Sequence, residues 1–252
     1  MIDYSLSKKL KVQYQSANPF PYVVIDNFLP EFILKKCLEE LKNHKIWFSN
    51  TQKWVDKFQV NKFYYPNENT LIDEVKSNIP ITNLIFDYLN SESFIKFLEE
   101  LSGFEGLFRD PNLFGGGIHK ISNGGKLSIH VDFNTHPETL KKRKLNLLIY
   151  LNEDWMSEWN GNLELWDKKT WEKKIEISPV FNRAVIFSIE DAPHGHPIEL
   201  NTPDGVDRYS LALYYFTDET PKSQHSVIFY DDEEIGVNKE NDNIFKLKTN
   251  KN

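Results

Sequence analysis

The chain has 252 residues, 40% of them hydrophobic and 14% aromatic, with a formal net charge of -7. That length and apolar content sustain one large single-core domain, expected to span residues 1–252. Its carboxylates are interspersed and no basic stripe exists to neutralise a phosphate backbone, so nucleic acid is not an expected partner. Cys37 is the only cysteine, which excludes an intrachain disulfide and a cysteine-based zinc cluster. No run of about 18 apolar residues occurs, and MIDYSLSKKLKVQYQ lacks an apolar core of signal-peptide length. A cytoplasmic protein with no membrane partner is the expectation.

Residues 1–20 read as a polar lead-in. PYVVIDNFL, Pro21 to Leu29, reads as a strand, and Pro30 opens a segment in which Ile33, Leu34, Cys37, Leu38 and Leu41 fall at helical spacing. Trp54, Phe58, Phe63, Tyr64 and Tyr65 lie in an irregular strand-like stretch, expected as a hairpin near the edge of the body. Its aromatics suit either ordinary packing or the wall of a substrate groove. From about Asn69 to Leu101 the pattern is helical, through Leu71, Val75, Ile79, Ile85, Leu89, Phe94, Leu98 and Leu101, giving helices that cover one face of a sheet. Residues 21–112 thus hold a strand, helices and a hairpin.

From Leu113 the chain changes character. Short β-rich runs follow one another, GGGIHKI, KLSIHVD, LNLLIYL, NLELW, AVIFSI and YSLALYYF, separated by Gly, Asn, Pro and Asp. Many short strands in a row imply a sandwich or jelly roll over residues 113–230. The triple glycine Gly115 to Gly117 lacks the strand-to-helix context and the lysine of a phosphate loop, and reads as a bulge or close backbone approach. Residues 236–252 are polar and read as a loosely held tail. The fold class is therefore mainly β with flanking helices (α+β). Arginine is scarce beside lysine: only Arg109, Arg143, Arg183 and Arg208 occur, which hints that the survivors sit where a planar fork is needed.

In SIHVDF, His130 and Asp132 are two apart on a strand, so both side chains emerge on one face. An imidazole and a carboxylate, completed by a second imidazole from another strand, make a facial triad that leaves open positions on a non-haem Fe(II). DAPHGHPIEL offers both His194 and His196 for that role, and periodicity does not choose between them, because on one extended strand they share a face. Arg208 opens the alternating strand RYSLALYYFT and is suited to a bidentate grip on a carboxylate. Ser210, two residues along, adds a hydroxyl on the same face, and Tyr150 in LNLLIYLN is a further candidate donor.

Together, GGKLSIHVDFN, RKLNLLIYLNEDW, GNLELWD, PVFNRAVIF, PHGHP and RYSLALYYFT resemble the core of prolyl 4-hydroxylase-like Fe(II)/2-oxoglutarate-dependent oxygenases, from about Leu113 to Thr217. PYVVIDNFLP is similar to that family's entry strand. The resemblance implies a double-stranded β-helix (jelly roll, cupin-like) core with the N-terminal helices packed on one sheet. It implies His130, Asp132 and His194 as metal ligands, and Arg208, assisted by Tyr150, as the holder of 2-oxoglutarate. His196 falls where related sequences often carry a hydrophobic residue, and the stretch from His194 to Arg208 is longer than usual in that family. The implied cofactors are Fe(II), 2-oxoglutarate and dioxygen, with ascorbate as an optional addition. The implied reaction is hydroxylation of an unactivated C–H bond, of peptidyl proline first, with release of succinate and CO2. A free amino acid, sugar or other small metabolite is the alternative substrate, and a non-catalytic metal-binding β-helix module the lesser one.

Overall fold

The computed structural model describes residues 5–49, 55–66, 70–110 and 112–235. Trp54, Asn69 and the tail 236–252 lie outside the described residues. In chain order the elements are α1 (Ser5–Gln15), β1 (Tyr22–Ile25), α2 (Glu31–Asn43), β2 (Phe48–Ser49), β3 (Gln59–Tyr65), α3 (Ile72–Asn78), α4 (Pro80–Leu89), α5 (Glu92–Ser102), β4 (Phe108–Arg109), β5 (Gly117–Val131), β6 (Lys142–Tyr150), β7 (Leu163–Asp167), β8 (Glu172–Ile177), β9 (Ala184–Ser188), β10 (His194–His196), β11 (Arg208–Thr217) and β12 (Ile228–Phe229). The strands form one curled antiparallel sheet in the order β1-β9-β6-β11-β5-β10-β7-β8, with β3 and β12 also on β5, β2 on β3 and β4 on β11.

The curl is built into β5. GGGIHKI and KLSIHVD, read from sequence as two strands, are one strand of 15 residues. Gly124 has φ 71°, and a Cβ on Gly125 would lie 2.6 Å from the Ser122 carbonyl oxygen. Glycine is therefore what allows the strand to bend here. Before the bend β5 pairs with β11, and beyond it with β10. The hydrogen-bonded ribbon passes from one wall to the other and closes a double-stranded β-helix.

Period-two alternation then sorts the side chains. On β11, Leu211, Leu213 and Tyr215 enter a large core shared with the helices, while Ala212, Tyr214 and Phe216 cluster on the opposite face. On β6, Leu145, Leu147 and Ile149 face the helices, and Tyr150 packs with Leu163, Leu165, Val185 and Phe187 between the walls. The helical side of the large core comes from Leu34, Cys37, Leu38 and Leu41 of α2 and Phe94, Phe97, Leu98 and Leu101 of α5; each such side chain contributes roughly 1.5–3 kcal/mol on burial. Helix α5 starts where the Ser91 hydroxyl accepts from the Phe94 amide at 3.3 Å and ends at Gly103, φ 82°.

The lead-in is not merely polar. Residues 5–15 form α1, whose Tyr14 is buried in the main core with Leu6 and Leu10 packed against it, and Gln15 Nε2 donates to the Ser102 carbonyl of α5 at 3.2 Å. The spacing Leu6, Leu10, Tyr14 is one helical face, masked in the sequence by its lysines. The expected hairpin is β2–β3, and β3 continues the sheet by pairing with β5. Its aromatics divide: Tyr64 lines the central cavity, whereas Phe58 and Tyr65 are buried in apolar clusters.

Candidate active site

His130 and Asp132 leave the far half of β5 and its end, and β10 lies alongside. The His194 Cα is paired with His130 and the His196 Cα with Leu127. Two residues of β10 thus span three of β5, a bulge that keeps both histidines facing inward but sets only His194 opposite His130. One nitrogen of His130, one of His194 and one oxygen of Asp132 all lie within 4.8 Å of one another. All three residues are buried.

Backbone carbonyls fix the imidazoles. His130 Nδ1 is 2.9 Å from the Ser128 oxygen and His194 Nδ1 is 2.9 Å from the Ala192 oxygen. A carbonyl can only accept, so each Nδ1 carries the proton and each Nε2 presents a lone pair to the shared space. The Nε2 atoms lie 3.7 Å from Asp132 Oδ1 for His130 and 3.5 Å from Oδ2 for His194. Burial and the neighbouring His130 push His194 down to about 4, so it is neutral at physiological pH. Burial opposes ionisation of Asp132, but Arg143 and the two histidines outweigh it and hold the carboxyl well below its usual range. Two imidazoles and one carboxylate are the donor set that a divalent cation of the Fe(II) type requires, and the residues present fit it.

A support that the sequence did not reveal stands behind Asp132. Arg143 Nη2 donates to Asp132 Oδ2 at 3.0 Å and Asn146 Nδ2 donates to the same oxygen at 2.7 Å. Arg143 Nε and Nη2 also donate to Asn146 Oδ1 at 2.9 and 2.6 Å. The guanidinium lies 3.3 Å from the ring centroid of Tyr214 and 4.5 Å from that of Phe133. The scarcity of arginine was the one signal. Arg143 and Arg208 are buried, and Arg183 grips Asp26 through Nε and Nη2 at 2.6 and 3.0 Å; only Arg109 is exposed.

Arg208, Ser210, His119 and His196 share a cavity of about 600 Å³ with the histidine–aspartate cluster. Arg208 Nε donates to the Gly161 carbonyl at 2.9 Å, and its guanidinium carbon lies 4.9 Å from the Tyr150 ring centroid. The Tyr150 hydroxyl and both ring nitrogens of His196 are buried without a hydrogen-bond partner. Those of His196, which lines the cavity, mark where a ligand makes the missing bonds. Burial raises the Tyr150 hydroxyl, against the pull of Arg208, so it is a protonated donor. Arg208, Tyr150 and Ser210 could together hold a carboxylate.

Gly195 sets the strand spacing under this cluster. A Cβ there would lie 2.7 Å from the Leu127 and Ser128 carbonyl oxygens, and the latter is the acceptor that orients His130. Gly195→Ala is expected to lower the affinity for a divalent metal by about tenfold or more, the usual scale for disturbing a ligand's supporting bond. Calorimetric titration with manganese(II) measures it; wild-type affinity would show that the spacing does not matter.

A curled jelly roll in which two imidazoles and one carboxylate converge defines the class: a cupin-like fold with a candidate mononuclear metal site. Residues 116–216 match the family model described as the 2OG-Fe(II) oxygenase superfamily, whose members use Fe(II), 2-oxoglutarate and dioxygen. Among curated proteins it is similar to the prolyl 3,4-dihydroxylase OGFOD1 of Ostreococcus tauri, 23% identical over 214 residues that cover 80% of this chain and 39% of the relative. The chain thus spans well under half the length of that relative. Among solved structures, a prolyl hydroxylase in complex with a hypoxia inducible factor oxygen degradation domain peptide fragment, from Trichoplax adhaerens, superposes with a TM-score of 0.60 at 18% identity, covering 88% of this chain and 94% of that one. HygX of Streptomyces hygroscopicus, with nickel and 2-oxoglutarate bound, gives a TM-score of 0.54 at 11% identity, covering 82% and 86%. Among the described residues no helix is long and apolar enough to cross a membrane.

Proposed function

We propose that this chain is an Fe(II)- and 2-oxoglutarate-dependent dioxygenase that hydroxylates a prolyl residue of a peptide or protein. His130, Asp132 and His194 hold the metal, and Arg208 with Tyr150 and Ser210 holds the distal carboxylate of 2-oxoglutarate. The observation that carries this reading is the coincidence, in one cavity, of three converging ligand atoms and a buried arginine with no carboxylate partner among the described residues. A metal-binding module without chemistry has no use for that second element. The similarity to prolyl hydroxylases in sequence and in fold favours the prolyl substrate.

Bound Fe(II) supplies the oxygen chemistry: 2-oxoglutarate, dioxygen and R–H give succinate, CO2 and R–OH. The protein's part is orientation. The Ser128 and Ala192 carbonyls hold the two imidazoles in one tautomer, and Arg143 with Asn146 steadies the Asp132 carboxylate through Oδ2, so that the three side chains would hold Fe(II) in fixed orientations. The Arg208 fork sets the reach of 2-oxoglutarate into the cavity, and apolar Leu148, Leu163 and Ile121 exclude water beside it.

A second reading, a small-metabolite substrate, is favoured by one observation: Lys62 and His119 line the cavity in addition to the residues assigned above. Succinate formation by iron-loaded protein, with and without proline-containing peptides, tests the two. Prolyl peptides are expected to stimulate succinate several-fold and to gain one oxygen atom by mass spectrometry. Turnover that no peptide stimulates but a small metabolite does would replace the first reading by the second.

A further inference from the structure

The inner face of the sheet beside the metal cluster is a grid fixed by strand register. Lys62 of β3 is paired with Ile121 of β5, which is paired with Arg208 of β11. The next inward row, two residues along each strand, is Tyr64, His119 and Ser210. All six residues line the cavity. Lys62 and Arg208 therefore project into the same space from strands two apart, with Cα atoms roughly 10 Å from each other at the usual strand spacing.

The two cations do not share a task. Arg208 leans away from β3, held by the Gly161 carbonyl and lying beside the Tyr150 ring on the other side of β11. Lys62 belongs to β3, the strand that runs into Pro66, and Pro66, Thr70 and the 68% exposed Leu71 line the same cavity. Of the described carboxylates lining the cavity, Asp132 is matched by Arg143 at 3.0 Å and Glu138 is exposed; neither forms an ion pair with Lys62. Burial, helped by the Arg208 charge and opposed by Asp132, lowers Lys62 to about 8. His119 and His196 are held neutral by burial, and His196 has two unpartnered ring nitrogens.

Resting on the oxygenase reading above, we propose that Lys62, flanked by Tyr64 and His119, forms a second anion subsite that takes a carboxylate of the substrate being oxidised. Arg208 anchors the co-substrate, and Lys62, two strands away in the same cavity, meets the substrate. An ammonium with neutral hydrogen-bonding neighbours suits a carboxylate without demanding the planar fork geometry that Arg208 provides. For a prolyl substrate the carboxylate is either that of a C-terminal proline or the side chain of an acidic residue next to the proline.

The test uses the full chain loaded with zinc, which runs no oxygen chemistry, and saturated with 2-oxoglutarate. Calorimetric titration compares N-acetylproline with its primary amide, short peptides containing Pro-Asp with the same peptides containing Pro-Asn, and N-acetylleucine with its amide. In at least one prolyl pair the acid is expected to bind about tenfold more tightly than its neutral partner, the scale of one charge-assisted hydrogen bond. That ratio is expected to fall to about one in Lys62→Gln and to return in Lys62→Arg, while unchanged binding of the amide reports an intact fold. A preference confined to N-acetylproline identifies the terminal carboxylate, and one confined to Pro-Asp the side chain. A ratio near one in the wild type for every pair overturns the proposal. So does a preference that survives Lys62→Gln, or a loss of 2-oxoglutarate affinity by the same factor. If the leucine pair shows a Lys62-dependent ratio equal to that of the prolyl pairs, the anion subsite stands and the prolyl assignment falls.

Discussion

Replacing His194 by alanine is expected to abolish iron-dependent succinate formation and to weaken divalent-metal binding by more than about 100-fold, beyond the 10–100-fold that attends loss of a supporting bond alone. Only His194 of the PHGHP pair is register-matched to His130 and has a nitrogen in the cluster with Asp132. His196→Ala is expected to retain metal binding, because that imidazole lies opposite Leu127. Manganese(II) titration of both variants, with succinate measured in parallel, separates the two histidines. Loss of metal in His196→Ala with retention in His194→Ala would reverse the assignment.

Arg208→Ala is expected to raise the KM for 2-oxoglutarate by about 10²–10³-fold, the cost of leaving a carboxylate without its buried cationic partner, roughly 3–4 kcal/mol. Lysine at the same position is expected to recover part of the loss, since it restores charge but not the two-pronged geometry. The same substitution makes a second, opposite prediction. A buried guanidinium whose hydrogen bonding among the described residues is to one carbonyl, that of Gly161, costs desolvation in the free protein, so the apo variant is expected to melt no lower than wild type. The stabilisation that 2-oxoglutarate gives the wild type is expected to disappear. Thermal unfolding with and without 2-oxoglutarate checks both signs at once; a lower apo Tm with an unchanged 2-oxoglutarate shift would place Arg208 in the scaffold rather than the site.

Much of the candidate site was legible because it follows local rules. His130 and Asp132 share a face through the period of two, as do Arg208 and Ser210, and the order of six β-rich segments pointed to the jelly roll. The helices between residues 70 and 102 showed in their apolar spacing, although α1 went unread because lysines surround its three apolar positions. What stayed hidden depends on irregularity. Arg143 and Asn146 are three apart on β6, which on a regular strand puts them on opposite faces. The register slips between Tyr215 and Phe216, pairing Phe216 with Arg143 and Tyr215 with Leu145, and that bulge at Lys144 returns Arg143 to the inner face. No periodicity reports a bulge in advance. The role of Lys62 was equally invisible, because it arises from β3 pairing with β5, a contact between segments some sixty residues apart in sequence.

The amino-acid sequence by itself determined most of the secondary elements, the inward-facing pairs on regular strands and the chemistry those pairs can offer, since all of these depend on residues within a few positions of one another. Only the tertiary structure decided which histidine of PHGHP meets His130, what steadies Asp132 and which cations enter the cavity. Those choices are set by strand register, by two bulges and by the bend at Gly124 and Gly125, where a shift of one residue turns a side chain from the site to the opposite face.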